Sequence, residues 1–363
     1  MQPLDPKIVL PLLDWYACHG RKLPWRRDQD PYRIWVSEIM LQQTRVETVL
    51  NYYDRFLESF PTLEALAGAP EEKVMLAWQG LGYYRRAKGL QEGARQVMQE
   101  FHGRIPRTRK ELMSLHGVGS YTAGAIASIA FQKREAAVDG NAVRVFSRLA
   151  CFEHCLEGAY RKELEKAIED IIPEDHPGQF NQAVMDLGSM VCTPVHPRCS
   201  ECPLQGMCLG KQNGTAQNLP RLPEKKSKTL EEYAVLLIFH QNTVLLEKKT
   251  DGLLKGLWLF PMVPGHYTEN EISSYYYDHT LESPRGLLCC GHTRHIFTHR
   301  IWEMTFFTLE SHLGGRLFPG ACPMTADMLE EHAIPSAMAL GVREAQQYLR
   351  RWNGSRENAI LYI

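Results

Sequence analysis

Four cysteines lie close together in a proline-rich loop, and their thiols are soft metal ligands. They fall within seventeen residues, at Cys192, Cys199, Cys202 and Cys208. Four thiolates can complete a tetrahedral zinc site or hold a [4Fe–4S] cluster, and residue type alone does not decide between the two. Buried free cysteines normally lie on regular apolar stripes, which this loop lacks. The spacing therefore predicts a metal centre.

Two carboxylates could supply acid–base chemistry. Glu38 lies within the apolar segment WVSEIML at 35–41. Such surroundings disfavour the charged form, so Glu38 could stay protonated and act as an acid near neutral pH. Asp139 ends a short apolar run in AAVDGN at 136–141. Taken alone, Glu38 could instead be a solvent-facing helix residue, and Asp139 could be the N-cap of the following helix.

A glycine-containing turn suggests phosphate binding by backbone N–H groups. Gly117 and Gly119, in LHGVG at 115–119, permit a tight turn directly into a helix N-terminus. Free N–H groups there bind a DNA phosphate without reading base sequence. Helical patterns on both sides predict a helix-hairpin-helix over about 112–128. An ordinary connection between two helices is the alternative.

The elements that must position these residues are mostly helices. Apolar residues recur at three- and four-residue steps up to about residue 209, which predicts a helical domain over 1–209. The polar, proline-containing stretch 210–231 indicates a linker. Strand patterns at 232–248 and 292–309, with a helical pattern at 337–351, predict a smaller α+β domain over 232–363.

Composition and charge narrow the classes of protein. The 363 residues are 44% hydrophobic and 23% charged, which is typical of a folded protein with two or three domains. The net charge of −1 conceals a basic segment at 85–110 with eight Lys or Arg against two Glu. This segment could face phosphates, but taken alone it is better explained as a solvated helix face. No run reaches about 18 apolar residues, so we expect a cytoplasmic protein without a membrane span.

Longer motifs resemble those of a known family. They are LPWR at 23–26, WVSEIMLQQT at 35–44, GLGYYRRA at 80–87, GVGSYTAGAI at 117–126, VDGNAVRV at 138–145 and FNQAVMDLGSMVC at 180–192. With the hairpin, the aspartate and the four-cysteine loop in this order, the chain resembles the adenine DNA glycosylase (MutY) family of the endonuclease III superfamily. The resemblance implies a mostly α-helical helix-hairpin-helix glycosylase domain with a [4Fe–4S] loop, then a smaller α+β Nudix-like domain.

The resemblance also implies an activity, the removal of adenine paired with 8-oxoguanine or guanine after extrusion of the adenosine into a pocket. The resemblance implies that Glu38 protonates the leaving adenine, and that Asp139 stabilises the cationic sugar or its covalent successor. Glycosidases divide the same two roles between a pair of carboxyl groups. The supporting residues that it implies are Tyr121 and Asn141 beside Asp139, and Arg26 and Trp25 in the adenine pocket.

Tyr121 occupies the position at which bifunctional relatives carry a lysine that attacks the sugar. With tyrosine there, we expect a monofunctional glycosylase that leaves an abasic site.

Other residues are implied to contact DNA around the lesion. The resemblance places Gln43, Leu81 and Tyr83 as wedges in the base stack. Core packing is the alternative for Leu81 and Tyr83, but Gly80 and Gly82 favour an exposed turn at Leu81.

The C-terminal domain would read the oxidised base. The family's lesion-reading loop is Phe-Ser-His, and this chain has Phe297, Thr298 and His299. Thr298 keeps the hydroxyl of the family's serine but adds a methyl group. If its hydrogen bond to the oxidised base were lost, discrimination of about 1–3 kcal/mol would be lost with it. The domain lacks the glutamate-rich Nudix helix signature, so we expect no pyrophosphate hydrolysis.

Two other functions compete with this interpretation. A bifunctional lyase similar to endonuclease III, acting on oxidised pyrimidines, is disfavoured by Tyr121 and by the appended domain. A non-catalytic DNA-binding protein is disfavoured because Glu38 and Asp139 are both present. We therefore expect a monomeric enzyme that binds double-stranded DNA and carries a [4Fe–4S] cluster.

Overall fold

The computed structural model describes residues 4–224, 227–313 and 317–360. The chain forms two compact units. The first contains the residues up to Ala69 together with Arg85–Glu224. The second contains Pro70–Tyr84 and the described residues that follow 224. The domain boundaries at 209 and 231 stay a prediction.

Helices build the first unit, and one helix from this part of the chain belongs to the second unit. They are α1 (Val9–His19), α2 (Pro31–Leu41), α3 (Val46–Ser59), α4 (Leu63–Gly68), α5 (Glu71–Ala77), α6 (Arg85–Glu100), α7 (Arg109–Leu112), α8 (Ser120–Phe131), α9 (Gly140–Leu149), α10 (Gly158–Ile171), α11 (Pro177–Met190) and α12 (Leu209–Gln212). Of these, α5 belongs to the second unit.

Local sequence explains where the helix that carries Glu38 starts. Asp30 precedes α2 and accepts the Arg33 N–H, while Pro31 supplies the fixed φ that suits a first helical position. One core of the first unit is built from α1, α9, α10 and α11, with fully buried side chains such as Leu12, Phe146 and Phe180. Burial of these apolar faces is the main term that holds the helices together.

The second unit is organised around one mixed sheet. Its strands are β1 (Thr229–His240), β2 (Thr243–Lys248), β3 (Trp258–Leu259), β4 (Met262–Pro264), β5 (Arg285–Ile296), β6 (Arg300–Glu310) and β7 (Ala321–Met324). The order is β3-β2-β1-β6-β5, with β4 paired to β1 and β7 to β2. Only the β1–β6 pair is parallel among the pairs described.

Three helices accompany the sheet, α13 (Glu269–Thr280), α14 (Ala326–Glu331) and α15 (Ala339–Ile360). The predicted fold class, a helical domain followed by a smaller α+β domain, is confirmed. Within the described part of the chain, no helix has the length and apolar character needed to cross a membrane.

Candidate active site and cluster loop

One open pocket of about 480 Å³ in the first unit brings the predicted catalytic residues together. This volume is typical of a small-molecule site, for which roughly 300–1,000 Å³ is usual. The predicted residues that line it are Trp25, Arg26, Glu38, Tyr121, Asp139 and Asn141. Further lining residues include Arg21, Gln182 and Met185, which the sequence interpretation missed.

Glu38 is a buried carboxyl at the pocket wall. Only 4% of it is exposed, and the Tyr121 hydroxyl donates a hydrogen bond to its Oε2 at 2.6 Å. Burial raises the pKa of Glu38 to about 7, although the Tyr121 hydrogen bond and the Arg26 charge oppose the rise. A carboxyl with this pKa holds a proton near neutral pH and can donate it. The solvent-facing alternative for Glu38 is wrong.

Asp139 is the N-cap of α9 and also lines the pocket, so its two interpretations are compatible. Its Oδ1 accepts the Ala142 N–H and its Oδ2 accepts an Asn141 Nδ2–H, both at 2.7 Å. Burial raises the pKa of Asp139, while these hydrogen bonds oppose the rise by favouring the anion. The helix N-terminus favours a negative charge in the same way.

Arg26 is held in place by a buried aspartate that the sequence interpretation did not single out. Asp186 is fully buried, and Arg26 donates to both of its oxygens at 2.7 and 3.0 Å. Arg21 donates to the same carboxylate through its side chain, at 2.8 and 2.6 Å. Burial would raise the pKa of Asp186, but the Arg26 hydrogen bonds and charge, aided by Arg21, hold it below its ordinary value. The sequence did contain a signal for this buried carboxylate, because Asp186 is the charged residue within the motif FNQAVMDLG.

Arg144 joins the active site to the cysteine loop. One terminal guanidinium nitrogen donates to Asn141 Oδ1 and to the Gly188 carbonyl, each at 2.7 Å. Its Nε donates to the Cys192 carbonyl at 2.7 Å. Arg144 therefore supports the amide that itself donates to Asp139.

The four cysteines of the loop line one pocket in the first unit, together with Arg148 and apolar residues of α9 and α11. The buried Arg148 guanidinium donates to the Thr193 and Pro194 carbonyls at 2.7 and 3.0 Å, which fixes the loop. Among the described residues, no three His, Cys, Asp or Glu side chains come together as ligands of one metal ion. Four cysteine thiols that line one pocket are the donor set that a [4Fe–4S] cluster requires.

The predicted hairpin lies between α7 and α8. Gly117 has a φ of +76°, and a Cβ there would lie 3.0 Å from the backbone of Gly89 in α6. Gly119 is the N-cap of α8 and no side chain caps the helix, so its first N–H groups are available to a ligand. Arg109 anchors the turn through Ser120 Oγ at 2.7 Å and Glu169 at 2.7 Å.

The basic segment 85–110 is less of a surface patch than its composition suggested. Arg86 donates to the Ile39 and Met40 carbonyls at the end of α2, and Arg95 donates to the Ala67 carbonyl. These guanidinium groups satisfy carbonyls at helix ends inside the first unit.

The predicted wedge residues differ in exposure. Gln43 follows α2, is exposed and has a φ of +57°. Tyr83 is 48% exposed, whereas Leu81 is only 5% exposed. The expectation of an exposed Leu81 is therefore wrong. Gly80 and Gly82 do form a turn of positive φ, but the apolar side chain between them is stabilised by burial.

Phe297, Thr298 and His299 form the turn between β5 and β6 in the second unit. The Phe297 ring packs edge-on against Trp302, with centroids 4.8 Å apart. Thr298 and His299 are exposed, and the Thr298 hydroxyl donates to the Tyr83 hydroxyl at 3.1 Å.

Three family models match the chain. Residues 36–173 match the HhH-GPD superfamily base excision DNA repair protein, 192–208 the iron-sulfur binding domain of endonuclease III, and 234–342 the NUDIX domain. The predicted fold is thereby matched in all three of its parts, and the cysteine loop holds a [4Fe–4S] cluster.

Curated relatives resemble most of the chain. Adenine DNA glycosylase of Rattus norvegicus is 34% identical over 93% of this chain and 78% of the relative. The Homo sapiens protein of the same name is 34% identical over 90% of this chain and 72% of the relative. That of Buchnera aphidicola subsp. Baizongia pistaciae is 37% identical over 73% and 75%.

Solved structures match the helical part. A thermostable thymine-DNA glycosylase is 32% identical with a TM-score of 0.52, covering 57% of this chain and 97% of its own. A trapped covalent endonuclease III–DNA intermediate is 25% identical with a TM-score of 0.50, covering 58% and 99%.

Proposed function

The chain belongs to the adenine DNA glycosylase family, and from this premise we propose that it excises adenine paired with 8-oxoguanine or guanine in double-stranded DNA, leaving an abasic site. The observation that carries the proposal is the meeting of Glu38 and Asp139 in one pocket, one with a pKa of about 7 and the other accepting hydrogen bonds through both carboxylate oxygens.

Glu38 is the acid in this reaction. Adenine leaves poorly until a ring nitrogen is protonated, so the Glu38 carboxyl donates its proton to the extruded base as the N-glycosidic bond breaks. The bonding electrons depart with the neutral adenine, and positive charge develops on the sugar. Asp139, held by Ala142 and Asn141, stabilises that charge until water adds to C1′ and releases a proton.

Trp25 and Arg26 form part of the wall for the extruded base. Trp25 is 5% exposed and packs edge-on against Tyr53, so its ring is fixed before the base arrives. Asp186 fixes Arg26 in the same way. A pocket whose groups are already in place loses little order on binding.

Tyr121 favours monofunctional chemistry. Burial raises its pKa well above 10, so it remains a neutral phenol that donates to Glu38. A phenol cannot form the Schiff base through which a lysine leads to strand cleavage. We assign the cluster ligands to Cys192, Cys199, Cys202 and Cys208. The cluster supplies a rigid loop, and no step of base release passes through it.

Lesion recognition is assigned to the exposed turn at Phe297, Thr298 and His299, and DNA gripping to the Gly117–Gly119 turn with the wedges Gln43, Leu81 and Tyr83. The buried Leu81 would need to turn outward to enter the base stack. We also propose that the protein is a monomer and that it acts in the cytoplasm.

The test uses a labelled duplex with adenine opposite 8-oxoguanine, scored for strand breaks before and after hot alkali. Breaks that need alkali are expected. Breaks without alkali would contradict the monofunctional assignment, and an intact strand in both cases would contradict adenine release. Glu38→Gln and Asp139→Asn should each abolish release while retaining duplex binding, and full activity in both would remove the assigned roles.

A further inference from the structure

Gln43 has a backbone conformation that is unfavourable for its residue type. It follows α2 and has a φ of +57°, in the left-handed region that residues with a Cβ rarely adopt. Glutamine lacks the short polar side chain with which asparagine tolerates this region. Gln43 is exposed, and its neighbour Thr44 lines the pocket that contains Glu38. Such a conformation persists only where the surrounding structure imposes it.

The Arg86 guanidinium holds the chain on both sides of Gln43. Its Nη1 donates to the Gln42 carbonyl, and its Nη2 donates to Thr44 Oγ1 at 3.1 Å. The same Nη1 donates to two carbonyls in the last turn of α2, at 2.9 and 2.8 Å. A guanidinium group is planar, and its donors point in fixed directions. The residues before and after Gln43 are therefore fixed to one rigid group.

Two further contacts close the turn around Gln43. The Thr44 N–H donates to the Leu41 carbonyl at 3.2 Å. The side chain of Gln42 donates from Nε2 to Thr122 Oγ1 in α8, also at 3.2 Å. None of these bonds uses the Gln43 side chain. The backbone of the turn is thus held by its neighbours, while the exposed amide at position 43 is left for contact with DNA.

We propose that Arg86 is a positioning residue that holds Gln43 in its left-handed conformation, so that the wedge is already formed before the duplex binds. The inference rests on the proposed function, in which Gln43 enters the base stack. It adds a role for a side chain that is not among those lining the pocket. Without these contacts, Gln43 relaxes to an ordinary conformation. Part of the binding free energy is then used to restore the wedge.

Arg86→Lys tests the role. Lysine keeps the positive charge at the end of α2, but its single ammonium nitrogen cannot occupy the positions of two guanidinium nitrogens. Unstacking is measured by the fluorescence of 2-aminopurine placed beside 8-oxoguanine, which rises on binding when this base loses its stacked neighbour. Adenine release is measured on the same duplex at single turnover. We expect a smaller rise in fluorescence and a release rate that falls about tenfold.

A double-mutant cycle tests whether Arg86 acts through Gln43. Gln43→Ala removes the wedge amide, so Arg86→Lys should have no further effect on fluorescence or release in that background. Gln43→Asn gives a second, independent test, because asparagine tolerates the left-handed conformation by itself. In the Gln43→Asn background, Arg86→Lys should slow release by no more than about twofold.

Arg95→Lys is the matched control. Arg95 lies on α6, as Arg86 does, and its Nε and Nη2 donate to the Ala67 and Ala69 carbonyls at the end of α4, at 3.0 and 3.2 Å. The substitution removes the same kind of contact from a helix end that is far in sequence from Gln43. Fluorescence and release should both stay at the values of the unaltered enzyme.

Arg86 also supports the last turn of α2, which contains Glu38, and the pH dependence of release separates the two effects. The midpoint of that profile reports the acid, and it should not move in Arg86→Lys because the charge is kept. A shifted midpoint, unchanged fluorescence, or equal losses in the Gln43 and Gln43→Ala backgrounds would overturn the inference alone. Normal unstacking by Gln43→Ala would overturn the wedge assignment and the inference with it. Failure of the unaltered enzyme to release adenine would overturn the proposed function.

Discussion

The pKa of Glu38 should govern how base release depends on pH. With a pKa of about 7, about half of the acid is protonated at pH 7 and about a tenth at pH 8. At the ordinary value of 4.5, only about 0.3% would be protonated at pH 7. Burial thus increases the active form roughly a hundredfold, which corresponds to about 3 kcal/mol in protonation free energy.

The assay is the single-turnover rate of adenine release between pH 5.5 and about 9, measured with enzyme in excess of duplex. We expect the rate to be level in acid and to fall about tenfold per pH unit well above pH 7. Tyr121→Phe should move this fall to higher pH, because the hydrogen bond from Tyr121 lowers the pKa of Glu38.

Tyr32→Phe is the control for that shift. Tyr32 lies on the same helix, but its hydroxyl donates to the Phe60 carbonyl rather than to Glu38. Its removal should leave the midpoint of the profile in place. A rate that is flat above pH 7, a fall centred near pH 4.5, or a shift to lower pH in Tyr121→Phe would refute the assignment of Glu38 as the acid.

Four further predictions follow from individual contacts. The pKa of Glu38 is raised in the folded chain, so the stability that this carboxyl contributes below pH 4.5 is lost as pH rises to about 7. At pH 8, Glu38→Gln should therefore be more stable than the unaltered protein by up to about 3 kcal/mol in denaturant unfolding. At pH 5 the difference should be smaller. Equal differences at both pH values would contradict this. Gly117→Ala places a Cβ against the backbone of α6 at a φ of +76°, so duplex affinity measured by anisotropy should fall about tenfold, while Gly68→Ala, with open space around the new Cβ, should bind normally. Arg144→Gln removes hydrogen bonds that support the amide beside Asp139, so base release should slow about tenfold or more with duplex binding retained; an unchanged rate would show that the amide is held without it. Thr298→Val removes the exposed hydroxyl, so the preference for 8-oxoguanine over guanine opposite adenine should fall about tenfold, whereas Thr298→Ser should keep it.

Only the two carboxylates of the pocket could be singled out from their own sequence surroundings, and the other predicted pocket residues were implied by the family resemblance. Glu38 is a carboxyl within an apolar helix, and Asp139 is a helix cap after an apolar run. Apolar periodicity likewise predicted β1, β2, the run that contains β6 and the last helix of the smaller domain, but it did not predict α13 or β7. Such patterns identify which face of an element is buried, and this suffices to place a residue near a core or a pocket.

The partners of those residues could not be predicted, because they are distant in sequence. Arg26 and Asp186 are 160 residues apart, and Glu38 and Tyr121 are 83 apart. Which arginine meets which aspartate depends on how the helices dock, and periodicity does not specify docking. The prediction that Leu81 is exposed was wrong for a related reason. Its flanking glycines determine the turn but not the direction of the side chain.

The two carboxylates of the pocket differ in function because of their surroundings rather than their chemistry. Burial raises the pKa of both. Asp139, however, caps a helix whose N-terminus carries partial positive charge, and it accepts a backbone N–H and an amide N–H. Glu38 lies in the last turn of α2, whose C-terminal end carries partial negative charge, and it accepts from one neutral phenol. An anion is therefore favoured at position 139 and a proton at position 38, so exchanging the two side chains would not exchange their roles.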